Sequence, residues 1–267
     1  MNSPFFRVIA IVSALASSSS WAAETTCPSH FFGGEAPNTA ILDVRELCFS
    51  EFAVLHSDER RTPLWSAEHL TRDRIEAARS QRRRNAFHAE PRLQPENRAE
   101  LSDYAQSGYD RGHMAPSGDM PDPESQRESF SLANMIPQDP SNNRGVWARL
   151  EAAVRKLAEE RGEVFVVTGP VFGEGAEPKR LNDRVSIPSR IFKAIYAPGQ
   201  GAGVYLTPNG PGNAWQVVSL AELKNLAGID VFPGLDAEEK EHAVALPGPG
   251  VPRSHKKSDN DDVEQDE

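Results

Sequence analysis

The stretch that most constrains this chain is residues 147–168, where a helical repeat gives way to a buried strand across one glycine. Trp147, Leu150, Val154 and Leu157 follow one another at steps of three, four and three, a single apolar stripe at helical period. Gly162 ends that pattern. Val164-Phe165-Val166-Val167-Thr168 follows as a β-branched and aromatic run of the kind buried on both faces, ended by Gly169-Pro170. A strand this apolar needs a sheet around it, and a helix with one apolar stripe needs that sheet to lie on.

Other sheet material is shorter. Residues 52–55 (Phe-Ala-Val-Leu) read as a strand, with residues 64–67 (Leu-Trp-Ser-Ala) as a partner across a turn at 57–63. Residues 191–196 and 203–207 add two more strands. Ser219 with Glu222 three residues on is a capping-box pattern and opens a short helix to Ala227. Residues 72–83 are polar and Arg-rich, with weak structure expected, and residues 91–108 read as loop. Gly112, Pro116, Gly118 and Pro121 exclude a long helix over 110–121, and the apolar run 130–136 breaks at Pro137. Strands and helices do not alternate regularly. The expectation is an α+β fold, a single domain over residues 25–245 with a central mixed or antiparallel sheet.

The ends read differently. Arg7, an apolar stretch over 8–16 and the small residues before Ala23 form a signal-peptide pattern, removed after Ala22, so residues 1–22 are assigned to it. The expected location is periplasmic or secreted, with no stable membrane association after cleavage. In that setting the two cysteines, Cys27 and Cys48, form one disulfide, which closes a loop worth roughly 3 kcal/mol. Residues 246–267 are Gly, Pro, Ser, Lys and acidic residues, a composition that reads as a disordered acidic tail. The net charge of −10 argues against a broad basic coat for nucleic acid but leaves room for a local basic groove.

Four groups can carry chemistry. Asp110-Arg111-Gly112-His113 crowds three functional side chains around a glycine. A histidine can take a proton from water, an arginine can fork onto a phosphate, and an aspartate or a backbone carbonyl can fix the imidazole tautomer. Asn143 precedes the Trp147 stripe and projects onto its middle, and Glu151 borders it. Such groups must be paired, capped or bound to a cation, so an N-cap for Asn143 and an ion pair with Arg155 for Glu151 stay open. Asn134 lies in an apolar run, where a structural role competes with a site role. Arg82-Arg83-Arg84-Asn85 is either a solvated basic surface or a phosphate contact.

Taken together, residues 109–116 (Tyr-Asp-Arg-Gly-His-Met-Ala-Pro), 131–138 (Ser-Leu-Ala-Asn-Met-Ile-Pro-Gln) and 143–151 (Asn-Arg-Gly-Val-Trp-Ala-Arg-Leu-Glu) resemble the DNA/RNA non-specific endonuclease family of the ββα-metal, or His-Me finger, group. Residues 165–170, 187–188 and 192–193 are similar to its later core strands. The resemblance implies an embedded ββα-metal catalytic motif and a metal-dependent endonuclease. Its substrates would be DNA and RNA, its cofactor one Mg²⁺ (replaceable by Mn²⁺ or another divalent cation), and its products 5′-phosphates. It implies His113 as general base and Asn143 as direct metal ligand. Glu151 would act at the metal through bound water, Arg111 near the scissile phosphate, and Asn134 as a support for the histidine and phosphate. Arg84 is chosen, among three adjacent arginines, to stabilise the transition state. The family usually has Gln after the metal-binding Asn; here Arg144 follows, and Asn142 is a rival for Asn143. Two other readings remain: a catalytically silent nucleic-acid-binding protein of the same fold, and a phosphodiesterase for small nucleotides. A homodimer is left open.

Overall fold

A computed structural model describes residues 25–173 and 177–250. The expected signal peptide and residues 251–267 of the expected tail lie outside the described residues. Seven strands build the central sheet: β1 (Val44–Cys48), β2 (Ala53–Ser57), β3 (Thr62–Thr71), β6 (Glu163–Val171), β7 (Arg190–Ala197), β8 (Gly201–Pro208) and β9 (Gln216–Val218). A separate pair, β4 (Asp110–His113) and β5 (Met135–Gln138), lies outside it. The sheet order is β9-β8-β7-β6-β3-β2-β1, and every pairing is antiparallel.

The period-two alternation of the central strands sorts the core onto two faces. Trp65, Ala67, Val167, Phe192 and Ala194 face one way, covered by the N-terminal segment and the Leu220–Ala227 helix. Leu70, Val164, Val166, Ile191 and Ile195 face the other way, under the stripe of the Ala148–Arg161 helix. Trp147, Leu150, Val154 and Leu157 are all buried there, and Gly162, at φ 93°, closes the helix with its N–H on the Ala158 carbonyl. Ser219 and Glu222 form the expected capping box.

Three local expectations change. First, β6 does not stop at Gly169-Pro170 but runs to Val171. Its pairing with β3 ends at Thr168, so Pro170 pairs on one side only, where a missing N–H is tolerated. Gly169 is required by crowding, since a Cβ there would lie 2.4 Å from the Leu64 carbonyl oxygen. Second, residues 72–83 are not uniformly weak: Arg72–Ala78 is a helix, capped by the Thr71 side chain and buried through Ile75 and Ala78. Third, the chain keeps packing past residue 245. Leu246 lies against the second core cluster, and the Tyr205 hydroxyl donates to the Pro247 carbonyl.

The Cys27–Cys48 disulfide is present, with Cα atoms 5.9 Å apart, and ties the N-terminal segment to β1. No helix among the described residues is long and apolar enough to cross a membrane.

Candidate active site

The β4–β5 pair, the short Pro140–Asn142 turn and the Ala148–Arg161 helix form a strand-strand-helix unit seated on the second face of the sheet. The sheet meets it with polar residues. Ser66, Glu68, Thr168 and Lys193 fall at the alternate positions that point to this face, and all four are buried. Ser66 Oγ donates to Asn134 Oδ1 (2.8 Å). The Lys193 ammonium donates to Thr168 Oγ1 (2.7 Å) and to the Met114 carbonyl (3.5 Å).

A cavity of about 840 Å³ opens on the unit and is lined by His113, Arg111, Asn143 and Glu151, together with Arg83 and Arg155. Gly112 makes the approach to His113 possible. A Cβ at Gly112 would sit 2.0 Å from Gln138 Oε1, so only glycine lets β4 and β5 come this close. His113 is buried against the edge of Phe130 and beside Phe87, and its Nε2 has no hydrogen-bond partner among the described residues. Burial, reinforced by the charge of Arg83, holds the imidazole down to about 3, so it is neutral at neutral pH.

Asp110 does not orient the histidine, as the motif alone allowed. Its carboxylate instead accepts from Asn143 Nδ2 (2.9 Å) and from the fork of Arg144. Asn143 Oδ1 has no partner among the described residues. Nor does Asn143 lie on the helical stripe onto which it was projected. A wide turn over Asn143–Trp147, with Gly145 at φ −105° and ψ −110°, breaks the helical phase between them. The rival Asn142 is buried and fully used, accepting from Gln138 and donating to Thr207 and Pro208.

Glu151 makes no ion pair with Arg155. Arg155 reaches Asp119 instead (2.7 Å), and the Glu151 carboxylate is left unpaired among the described residues. Burial pushes its carboxyl up, opposed by the charges of Lys193 and Arg155.

Asn134 is fully buried and away from the cavity lining. Its amide accepts from Ser66 and the Ala115 N–H and donates to the Ala115 and Ser129 carbonyls. It braces the turn after His113 through both of its bonds to Ala115. Arg84 does not line the cavity, and its backbone N–H donates to Gln126 Oε1. Arg83 takes the inward position, on Ser117 Oγ (3.2 Å) and over the Phe130 ring. Arg111 lies over Phe87 at 4.2 Å, half-buried and with no salt bridge among the described residues. Arg155, which the sequence offered only as an ion-pair partner for Glu151, lines the cavity itself and is held there by Asp119.

The open oxygens of Asn143 and Glu151 are hard donors that fit a hydrated hard divalent cation. Among the described residues, three His, Cys, Asp or Glu side chains cluster only at Cys27, Glu46 and Cys48, where the two cysteines are disulfide-bonded.

This strand-strand-helix unit brings a histidine, an amide and a carboxylate onto one cavity. The chain belongs to the DNA/RNA non-specific endonuclease family, whose model matches residues 36–238. Members of the family are divalent-metal-dependent nucleases. It is 33% identical over 212 residues to "Nuclease EXOG, mitochondrial" of Danio rerio, covering 72% of this chain and 62% of that protein. It is 32% identical over 211 residues to the Homo sapiens protein of the same name, covering 71% and 57%. The chain thus spans about three fifths of the length of those relatives. A "Nuclease" of Nostoc sp. is 32% identical over 216 residues, covering 74% of this chain and 76% of that protein. A crystal structure of the EndoG/EndoGI complex superposes at a TM-score of 0.63 with 26% identity, covering 76% of this chain and 90% of that one. The expectation of a periplasmic or secreted protein is overturned by these relatives, since those named for a location are mitochondrial nucleases, though the bacterial Nostoc protein also matches.

Proposed function

We propose that this chain is an endonuclease that hydrolyses phosphodiester bonds of DNA and RNA, with His113 as general base and Mg²⁺ as cofactor. The observation that carries the reading is one cavity lined by a neutral histidine, the open oxygens of Asn143 and Glu151, and three inward guanidinium groups. His113, neutral and with a free ring nitrogen, takes a proton from the attacking water. Arg83, Arg111 and Arg155 line the space where phosphate oxygens would lie; Arg83 and Arg111, which have no salt bridge among the described residues, would hold them with charge-assisted hydrogen bonds. Asn143 and Glu151 would hold Mg²⁺ directly and through water. Bound there, it would supply charge neutralisation for the scissile phosphate, and departure of the 3′-oxygen would leave 5′-phosphate products. Recognition through phosphates carries little sequence choice, and affinity falls with salt.

The test is cleavage of plasmid DNA and of RNA by the parent and by His113→Ala, with and without EDTA. The expected loss in the variant is about 10²- to 10⁴-fold, and chelation stops cleavage until Mg²⁺ is restored. A variant within tenfold of the parent, or full activity in EDTA, refutes the reading. A parent that binds but does not cut either polymer restores the silent-binder alternative, and one that cuts only a small diester restores the phosphodiesterase.

A further inference from the structure

Arg144 points to a role outside the phosphate-binding set. Its side chain is 74% exposed, yet its guanidinium lies across Asp110 as a fork, Nε on Oδ2 at 2.9 Å and Nη2 on Oδ1 at 2.6 Å. The same Oδ2 accepts from Asn143 Nδ2 at 2.9 Å. One amide donor leaves a carboxylate free to turn about its Cβ–Cγ bond, whereas a two-point fork fixes its plane. Because a carboxamide is planar, anchoring Nδ2 also fixes the direction of Oδ1. Asn143 cannot take that direction from the helix, for it sits before the non-helical Gly145, outside the regular ladder. Its setting therefore comes from side chains.

We propose that Arg144 is a positioning residue for the cation, acting through Asp110 to aim Asn143 Oδ1 into the cavity. Its charge is spent on Asp110 and not on substrate. The inference rests on Asn143 as metal ligand, and the experiment separates the two. Mn²⁺ is titrated into the metal-free protein by calorimetry, without nucleic acid, for the parent, Arg144→Ala, Arg144→Lys, Asp110→Ala, the Asp110→Ala/Arg144→Ala double variant and Asn143→Ala. Unfolding of each variant is followed by circular dichroism.

Arg144→Ala is expected to weaken Mn²⁺ binding about tenfold, as loss of an outer partner of a metal ligand does, with the unfolding transition unmoved. Arg144→Lys recovers only part of that loss, because an ammonium cannot fork. On the Asp110→Ala background, removing Arg144 adds nothing. Unchanged Mn²⁺ affinity in Arg144→Ala, with binding abolished in Asn143→Ala, overturns the inference and leaves the metal reading standing. The same holds if Arg144→Ala raises only the KM for nucleic acid, since the guanidinium would then be a phosphate contact. Parental Mn²⁺ binding by Asn143→Ala overturns the ligand assignment, and the inference with it.

Discussion

Gly112→Ala is a one-carbon change whose effect can be worked from the structure. The added methyl would meet Gln138 Oε1 at 2.0 Å and Gln138 Cβ at 2.6 Å. Gln138 cannot step aside cheaply. It is fully buried, and its Nε2 donates to Asn142 Oδ1 at 2.8 Å. Either β4 and β5 move apart, an overpacking cost of about 1–3 kcal/mol, or Gln138 turns and leaves buried polar groups unpaired, at about 1–3 kcal/mol more. The expected destabilisation is therefore about 2–6 kcal/mol, a large share of a typical folding free energy. Urea unfolding followed by circular dichroism measures it. Gln138→Gly removes the three atoms the methyl would meet most closely, Oε1, Cβ and Cδ. In that background the alanine should add little, so the double variant should match Gln138→Gly alone. A Gly112→Ala protein within about 0.5 kcal/mol of the parent, the range of neutral surface changes, would refute the steric argument.

Three further outcomes are expected. Arg83→Ala should lower kcat/KM on DNA by about 10²- to 10³-fold, while Arg84→Ala stays within a few-fold; the reverse order would return the phosphate role to Arg84. His113 sits below the unfolded value of 6.5, so the unfolded chain takes up a proton that the folded chain refuses, and stability falls as pH drops from 6.5 towards 3. Between pH 6.5 and 4.5 this amounts to about 2–3 kcal/mol, read as the difference in urea unfolding between the parent and His113→Asn; identical pH slopes would exclude it. Cys27→Ser with Cys48→Ser opens the bridge between positions 21 apart and should cost about 3 kcal/mol of unfolding free energy, with no loss measured by denaturation counting against a staple.

What the sequence shows of this molecule follows burial. The Trp147–Leu157 stripe and the strand after Gly162 are legible because both faces of their setting are apolar and the periods differ. The polar layer beneath the strand-strand-helix unit is not legible, because Ser66, Glu68 and Lys193 are polar residues at core-facing positions and break the pattern that marks a strand. The helix at Arg72–Ala78 hides for a similar reason. Arg74 is buried among the Asp119, Glu51 and His69 carbonyls and Glu68, so a charged residue occupies a core-facing place. β4 and β5 are four residues each and contain Gly112 and Pro137, too short and too punctuated for periodicity to register. His113, Asn143 and Glu151, which meet on one cavity, could be grouped from sequence because their blocks follow one another in a fixed order. The choice among Arg82, Arg83 and Arg84 could not be made that way, because the direction of an exposed arginine is set by distant partners, here Ser117 and Phe130.

The wide turn between Asn142 and Ala148 gives chain length a meaning that residue identity does not carry. Asn142 and Asn143 are the same amino acid one position apart, yet one is mortar in the wall and the other faces the cavity. Which is which depends on how many residues separate them from Glu151. A gene that lost one codon among 144–146 would still encode the histidine, both asparagines and the glutamate. It would nonetheless shift the register of both amides against the carboxylate. In this stretch a frame-preserving deletion is a more radical event than most substitutions, and a comparison of descendants that scores only matching letters would pass over it.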